Sequence, residues 1–260
     1  MSGAVHVEFP SGPSLAVLRL DNPGRRNAVS AAMWREVGAF AEQVPNHPDV
    51  RVVMLRGTGG VFSAGADISG FAAARSGAAD AVAYDDLVEF TCRAVEAIPQ
   101  PTVALVEGPC IGAGASLAAS CDLRVASEGA HFAVPAARLG LGYDPRGVAR
   151  FLKVFGPAVG DLLLTAERLA AARAFALGAV HRLLPAEAVE AAAFALALRL
   201  AENAPLTLAA AKLTLRALRA QDGAMLEAAT ALCARADASA DYAEGRAAFA
   251  EKRHPRFTGA

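Results

Sequence analysis

Two glycine-rich bends, at 57–67 and 108–114, carry residues whose types and spacing could do chemistry. Each bend follows a short apolar run, at 51–56 and 102–107, that is typical of a strand. Glycine lets the backbone approach a ligand closely, and the first N–H groups of a helix have no intrahelical partner. If the two bends meet, their main-chain N–H groups could stabilise one developing negative charge, as in an oxyanion hole. Two turns that only pack a helix on a sheet are the alternative.

Four motifs, met in order along the chain, resemble the enoyl-CoA hydratase/isomerase (crotonase) superfamily. They are Asn-Pro-Gly-Arg-Arg-Asn-Ala-Val at 22–29, Phe-Ser-Ala-Gly-Ala-Asp-Ile at 62–68, Gly-Pro-Cys-Ile-Gly-Ala-Gly at 108–114 and Cys-Asp-Leu-Arg-Val-Ala at 121–126. The similarity extends from about residue 5 to Gly259. The resemblance implies a crotonase-like ββα superhelix that binds an acyl-CoA thioester and stabilises an enolate. Alternating strand and helix patterns also indicate an α/β fold with largely parallel strands.

The resemblance assigns the oxyanion hole to particular residues. It implies that the N–H groups of Ala66 and Ala113 bind the thioester carbonyl oxygen, with Gly114 in the same hole. The family usually has glycine where Ala113 stands, and a main-chain donor survives that change.

A binding site for CoA is also implied by the resemblance. Arg25 and Arg26 could attract the CoA phosphates, and Lys252 could do so from a neighbouring subunit. A solvated surface charge is the alternative for each of these side chains. The set expected to bind CoA is Arg25, Arg26, Ala28, Ala64, Asp67, Ile68 and Lys252. We expect no metal and no cofactor beyond the CoA of the substrate.

The acids that the family's hydratases use are absent from this chain. Those enzymes have one glutamate after the glycine-rich helix start and another in a Phe-x-x-Pro-Glu motif. By the resemblance these positions are Ser116 and Ala136 here. Serine is not basic at neutral pH and alanine does not titrate, so the two-glutamate addition of water is disfavoured.

Tyr143 and Asp144 are the candidate catalytic residues in place of those acids. Asp144 falls where the similar dienoyl-CoA isomerases and 4-chlorobenzoyl-CoA dehalogenase have a functional aspartate. Tyr143 falls where methylmalonyl-CoA decarboxylase has a tyrosine. An apolar acyl pocket would raise the pKa of Asp144 by desolvation and help it to move protons. The alternative is that Asp144 only caps a helix that begins at Pro145.

These residues favour double-bond isomerisation, or a related proton transfer, on a CoA thioester. The alternatives are an enoyl-CoA hydratase of fatty-acid or aromatic-acid breakdown, an acyl-CoA decarboxylase and a non-catalytic acyl-CoA binder. A dinucleotide-binding oxidoreductase is disfavoured because Leu117 stands where the third glycine of the fingerprint is required. A serine hydrolase is disfavoured because the chain has no Gly-x-Ser-x-Gly motif.

Composition limits the classes of protein further. The chain has 260 residues, 54% of them hydrophobic and 20% charged, and its formal net charge is -1. This charge gives no reason to expect a nucleic-acid partner. No run of about 18 apolar residues predicts a membrane span, and the start of the chain lacks a signal-peptide pattern. With four dispersed cysteines typical of a reducing compartment, these features predict a cytoplasmic protein.

The patterns change along the chain. A hairpin is predicted at Val5–Phe9 and Leu15–Leu20, and a helix capped by Ser30 is predicted to end near Gln43. A loop is expected at 69–80, and no strand is predicted beyond about residue 157. Helices are expected there at 158–165, 170–178, 185–202, 206–220, 223–236 and 239–251.

We therefore expect an acyl-CoA-binding core at 1–200 and a C-terminal helical trimerisation region at 201–260. The resemblance implies a homotrimer or a homohexamer. The alternative is that these helices only cover their own core.

Overall fold

The computed structural model describes residues 3–67 and 78–260. Ile68, which the resemblance assigns to the CoA site, lies outside the described residues. Most of the loop expected at 69–80 also lies outside them, but 78–80 already belong to a helix.

Two sheets form the strand layer of the described chain. In the larger sheet the order is β1-β2-β3-β4-β6-β9, with β1 antiparallel to β2 and the other neighbours parallel. In the smaller sheet β7 lies between β5, which is parallel to it, and β8, which is antiparallel. The strands are β1 Ala4–Glu8, β2 Leu15–Asp21, β3 Val52–Gly57, β4 Thr102–Val106, β5 Pro109–Ile111, β6 Leu123–Ser127, β7 His131–Ala133, β8 Leu169–Ala170 and β9 Arg182–Leu184.

Helices cover both faces of the larger sheet. They are α1 Ala31–Gln43, α2 Ala78–Ala97, α3 Ala113–Ser120, α4 Pro145–Phe155, α5 Ala171–Ala176, α6 Ala186–Ala201, α7 Pro205–Ala220, α8 Gly223–Asp237 and α9 Ala240–Glu251. Short 3-10 helices lie at Pro23–Arg25, Val44–Asn46, Pro135–Leu139 and Gly156–Ala158. The predicted cap of α1 is confirmed, because the Ser30 hydroxyl accepts the Met33 N–H at 3.2 Å.

Alternate side chains of each strand point to opposite sides of the sheet. Apolar residues on both sides pack against helices, so both faces of the sheet are buried. On β2, Ala16, Leu18 and Leu20 belong to the cluster that packs against α1, α2 and α3. Leu15 and Val17 belong to a second cluster that lies under α6. Both hydrophobic layers thus hold the parallel strands, and the bends that follow β3 and β4 extend from a rigid base.

Two expectations about the later chain are wrong. Strands do occur beyond residue 157: β8 pairs with β7, and β9 joins the edge of the larger sheet beside β6. At two and three residues, these strands are too short to show an alternating pattern. The helix expected at 158–165 is replaced in its second half by a π-helical turn at Asp161–Thr165.

A buried lysine joins the C-terminal helices to the core. Lys212 on α7 is 8% exposed, and its Nζ lies 2.7 Å from an Asp122 carboxylate oxygen. The same Nζ donates to the Gln100 carbonyl at 3.0 Å. Asp122 also accepts the N–H of Thr102, the first residue of β4. The region at 201–260 is therefore fastened to the core, and its role in trimerisation stays a prediction.

Within the described residues, no helix combines the length and the apolar character that crossing a membrane requires.

Candidate active site

The two glycine-rich bends lie side by side. Ser63 in the first bend donates its N–H to the Pro109 carbonyl at 3.0 Å, and the Ile111 N–H donates to the Ser63 carbonyl at 2.9 Å. These reciprocal bonds fix the segment after β3 to β5, which leads into α3. The condition that the sequence could not test, that the bends meet, is fulfilled.

Glycine at 114 permits this close approach. A Cβ atom added at Gly114 would lie 2.7 Å from the Ser63 Cβ, closer than side chains tolerate. Gly114 is buried and packs against the first bend, and it does not line the cavity. Its contribution to the site is therefore the space that it leaves, which brings the start of α3 against Ser63.

Two residues with main-chain donors line the same cavity. Ala113 is the first residue of α3, so its N–H has no intrahelical acceptor. At the other bend, Val29 donates to the Gly65 carbonyl at 2.8 Å and accepts the Asp67 N–H at 3.0 Å. Val29 and Ala66 thus form a parallel β-bridge, in which Val29 bonds only to the two neighbours of Ala66. The N–H of Ala66 itself points away from Val29. Both Ala66 and Ala113 line a cavity of about 400 Å³.

The positions of the missing acids lie in the wall of that cavity. Ser116 and Ala136 both line it. The Ser116 hydroxyl lies 3.1 Å from the Tyr143 hydroxyl and 3.3 Å from the Gly112 carbonyl, to which it can donate. When Ser116 donates to that carbonyl, its oxygen accepts the proton of Tyr143. The residue at 116 thus positions a phenol instead of supplying a carboxylate.

Tyr143 remains protonated over a wide pH range. Burial raises the pKa of Tyr143 to about 12, because the charged phenolate would lose its hydration. The ring packs against Phe151, with centroids 5.7 Å apart, and against Gly147, where an added Cβ would lie 2.8 Å from the ring. The phenol is suited to donate a proton and not to accept one.

Asp144 caps α4 and is bound by an arginine. Its carboxylate accepts the Arg146 N–H at 2.8 Å, and the Arg146 guanidinium lies 2.6 Å from its other oxygen. These hydrogen bonds and the positive charge lower the pKa of Asp144 below its ordinary value. The expected rise is wrong, because the hydrogen bonds and charge of Arg146 outweigh the effect of burial. Asp144 nevertheless lines the cavity, so its catalytic role stays a prediction.

Sequence reasoning missed an ionic group in the cavity wall. Arg150 on α4 binds Glu96 at 2.5 Å and Glu89 at 2.9 Å, both on α2. Glu89 also accepts from Arg93, one helical turn later, at 2.6 Å. Glu89 and Arg150 are buried and line the cavity. The sequence could indicate only the Glu89–Arg93 pair, because these residues are four apart on one helix. The pairs with Arg150 join α2 to α4, which are distant in the sequence.

Comparison with known proteins agrees with this geometry. Residues 11–260 match the profile of the family described as enoyl-CoA hydratase/isomerase. The chain belongs to this family. A probable enoyl-CoA hydratase of Mycobacterium leprae is 36% identical over 261 residues, which cover 98% of this chain and 100% of that protein.

A second relative is named for a different activity. The methylmalonyl-CoA decarboxylase of Escherichia coli K12 is 32% identical over 251 residues, covering 94% of this chain and 95% of that protein. Among solved structures, an enoyl-CoA hydratase/carnithine racemase from Magnetospirillum magneticum superimposes with a TM-score of 0.92 at 33% identity. That superposition covers 98% of this chain and 96% of the other.

The enoyl-CoA hydratase/isomerase family is a family of enzymes, and the α/β architecture is the crotonase fold. The expected fold and superfamily are therefore confirmed. The family name covers more than one reaction, so the reaction of this member has to be argued from its own cavity.

The residues expected to bind CoA divide into two groups in this family member. Arg25, Ala28, Ala64 and Asp67 line the cavity, and the Arg25 guanidinium lies 3.1 Å from the Asp67 carboxylate.

Neither Arg26 nor Lys252 lines the cavity. Arg26 has an exposed side chain, and its carbonyl accepts the Ala64 N–H at 2.9 Å. Lys252 is exposed at the end of α9. A contribution of Lys252 from a neighbouring subunit stays a prediction.

Proposed function

We propose that this protein moves a proton on an acyl-CoA thioester, in its simplest form the isomerisation of a carbon–carbon double bond. One observation carries the proposal: two hydrogen-bonded bends bring the Ala66 and Ala113 amides to a single cavity. Two such donors are what a thioester oxygen requires when it gains the charge of an enolate.

In this mechanism the charge of the reaction collects on one oxygen. A base removes a proton from the α-carbon of a 3-enoyl thioester, and the electron pair moves into the bond to the thioester carbon, so the carbonyl oxygen carries the charge of a dienolate. The amides of Ala66 and Ala113 hold that oxygen. A proton returned at the far end of the conjugated system gives the 2-enoyl thioester, so no atom is gained or lost.

Asp144 and Tyr143 supply complementary halves of this proton transfer, and exchange with solvent after each turnover moves a proton from Asp144 back to the Tyr143 phenolate. The lowered pKa of Asp144 keeps its carboxylate ionised at neutral pH and therefore able to accept a proton. The raised pKa of Tyr143 keeps its phenol protonated and able to donate one. The bond to Arg146 makes Asp144 a weaker base, so substrate carbons with acidic protons are favoured.

A second candidate, decarboxylation, would use the same two amides and Tyr143, but not Asp144. Loss of CO₂ from a thioester with a carboxylate on its α-carbon leaves the electron pair as an enolate and requires no base. The Ala66 and Ala113 amides would hold that enolate, and Tyr143 would protonate its carbon. The decarboxylase among the relatives supports this alternative.

Product analysis separates these reactions. Wild type, Tyr143→Phe and Asp144→Asn are incubated with 3-enoyl-CoA, 2-enoyl-CoA and methylmalonyl-CoA, and the products are identified by mass spectrometry and proton NMR. Isomerisation that Asp144→Asn abolishes supports the first proposal. Loss of CO₂ that Asp144→Asn leaves intact supports the second.

Two further outcomes would contradict both reactions. Addition of water to 2-enoyl-CoA as the main reaction would make the protein a hydratase. Thermal stabilisation by acyl-CoA without turnover of any substrate would make it a binding protein. Gly129→Ala is the control, because nothing lies within 4 Å of a Cβ added at Gly129.

The proposal includes the CoA and subunit arrangement that the resemblance implies. Arg25 and Asp67, which line the cavity, would bind the nucleotide end of CoA. The chain would act in the cytoplasm as a homotrimer or homohexamer and need no cofactor beyond the CoA of its substrate. Light scattering of the purified protein measures the subunit number.

A further inference from the structure

A guanidinium group is built into the wall of the acyl cavity. Arg150 is only 6% exposed, yet it lines the cavity beside Tyr143 and Ser116. Its Nε donates to Glu96 at 2.5 Å and its Nη2 to Glu89 at 2.9 Å. Burying a charge is costly unless it is paired, and these two carboxylates supply the pairing.

One nitrogen of this guanidinium, Nη1, has N–H groups that are not used in these hydrogen bonds. Among residues 3–67 and 78–260, Nη1 of Arg150 has no hydrogen-bond acceptor. In the described part of the chain, the unsatisfied side-chain atoms that the fold seals from solvent are Nε of Arg56 and Oε1 of Gln100, and Nη1 of Arg150 is not one of them. The open space that Arg150 borders is the acyl cavity. Nη1 is therefore the nitrogen of Arg150 that is available to a ligand in that cavity.

The charges around Arg150 determine what it can bind. Glu89 and Glu96 already neutralise its charge, and Glu89 is shared with Arg93. Nearby, Asp144 and Asp86 both bind Arg146. A carboxylate on the acyl chain would meet these carboxylates as like charges. An uncharged oxygen accepts a hydrogen bond without adding charge.

We propose that Arg150 selects acyl-CoA thioesters whose acyl chain carries an uncharged oxygen, a hydroxyl or a ketone, beyond the thioester. The chemistry at the thioester is unaffected by this recognition. The inference rests on the proposed function, since it places the acyl chain in the cavity next to Ala66 and Ala113. It adds the class of acyl group that this member of the family prefers.

Matched acyl chains test the proposal by binding to the whole protein. Dissociation constants are measured by calorimetry for 4-hydroxybutanoyl-CoA against pentanoyl-CoA and for 5-hydroxypentanoyl-CoA against hexanoyl-CoA. In each pair a hydroxyl replaces a methyl group. We expect the hydroxyl to improve affinity by about tenfold in at least one pair, as for a hydrogen bond to a charged donor. Glutaryl-CoA, with a carboxylate, should bind no better than hexanoyl-CoA.

Two variants separate recognition from stability. Arg150→Gln combined with Glu96→Gln removes one charge of each sign, and we expect it to abolish the preference while pentanoyl-CoA binds within about twofold of wild type. Arg93→Gln is the matched control: Arg93 also binds Glu89, but its side chain is 70% exposed and does not line the cavity. This control should keep the preference.

Several outcomes would overturn the inference. They are equal affinity of the wild type for both members of every pair, tightest binding of glutaryl-CoA, or an equal loss of affinity for both members in the Arg150 variant. If that variant does not fold, the wild-type ratios together with those of Arg150→Lys decide. Failure of the proposed function is seen in turnover and not in these binding ratios: addition of water to 2-enoyl-CoA, or no turnover of any substrate, would contradict the proposed reactions and leave the acyl preference measurable.

Discussion

The two sides of the acyl cavity are built from different parts of the chain. On one side, main-chain N–H groups of Ala66 and Ala113 come from bends that hydrogen bonds hold together. On the other side, side chains of the α4 region, such as Tyr143 and Asp144, supply the proposed acid–base groups. A substitution changes a side chain but leaves a main-chain donor in place. A site that depends on main-chain donors can therefore persist while the side chains around it vary.

The most damaging change should be one that separates the two bends. In Gly114→Ala the new Cβ would lie 2.7 Å from the Ser63 Cβ, so α3 or the first bend must move. Since loss of one oxyanion donor costs roughly 100- to 1000-fold in rate, we expect kcat to fall by at least about 100-fold. Steady-state turnover measures it, with Gly129→Ala as control. Unchanged kcat would show that the contact between the bends is not needed.

On the side-chain half of the cavity, Tyr143→Phe should have the next largest effect. The ring keeps its contact with Phe151, but the proton donor is lost, and general acids contribute roughly 100-fold or more. We expect kcat to fall by about 100-fold with little change in KM. Melting temperature checks the fold. A variant as active as wild type would remove Tyr143 from the mechanism.

Asp144 distinguishes catalysis from helix capping through two substitutions. Asn caps helices nearly as well as Asp, whereas Ala costs about 1 kcal/mol at an N-cap. If Asp144 is the base, Asp144→Asn should lose about 10- to 100-fold in kcat at unchanged stability, and Asp144→Ala should lose both. Urea unfolding and turnover are compared for the pair. Full activity in Asp144→Asn would leave Asp144 only its capping role.

The smallest expected effect is that of pH on the wild-type rate. The raised pKa of Tyr143, about 12, keeps the donor protonated, and the lowered pKa of Asp144 keeps the acceptor ionised. The rate should therefore stay level between pH 6 and about 10, where an ordinary tyrosine would begin to ionise. A stopped assay across that range measures it. An alkaline fall centred near pH 9 would contradict the assignment of Tyr143 as donor.

Above that range the folded state itself should weaken. Tyr143, Cys92 and Cys121 all have raised pKa values, so the folded protein holds protons that the unfolded chain releases. These groups therefore make their full contribution to the free energy of unfolding at neutral pH, and that contribution is lost as pH rises through their raised pKa values. Unfolding by urea at pH 8 and pH 11 tests the direction, and Tyr143→Phe should decline less steeply.

The fold was predictable where the pattern was local and long. The cap at Ser30, the strand before each bend and the helices from α6 onward all follow from spacing and capping residues within one segment. The family also followed from the sequence, because its motifs describe bends of the main chain. The sequence therefore predicted mainly the side of the cavity that is formed by the backbone of the two bends.

The other half depends on contacts between distant segments. Arg150 meets Glu89 and Glu96 only because α2 packs next to α4, and no local pattern places those helices together. The same cause made the expected pKa of Asp144 wrong, since the position of the Arg146 guanidinium is set in three dimensions. The strands β8 and β9 were missed because the pairing of two or three residues depends on their neighbours and not on their own sequence.

The buried contacts of Lys212 have a consequence for how the protein unfolds. The Lys212 ammonium group ties α7 to Asp122 between α3 and β6 and to Gln100 before β4. A fragment ending at residue 200 would leave Asp122 without that cation, at a position directly after the helix that begins with Ala113. Loss of the last helices would thus disturb the segment that is proposed to bind the thioester, so the chain should melt in one cooperative transition and not in two.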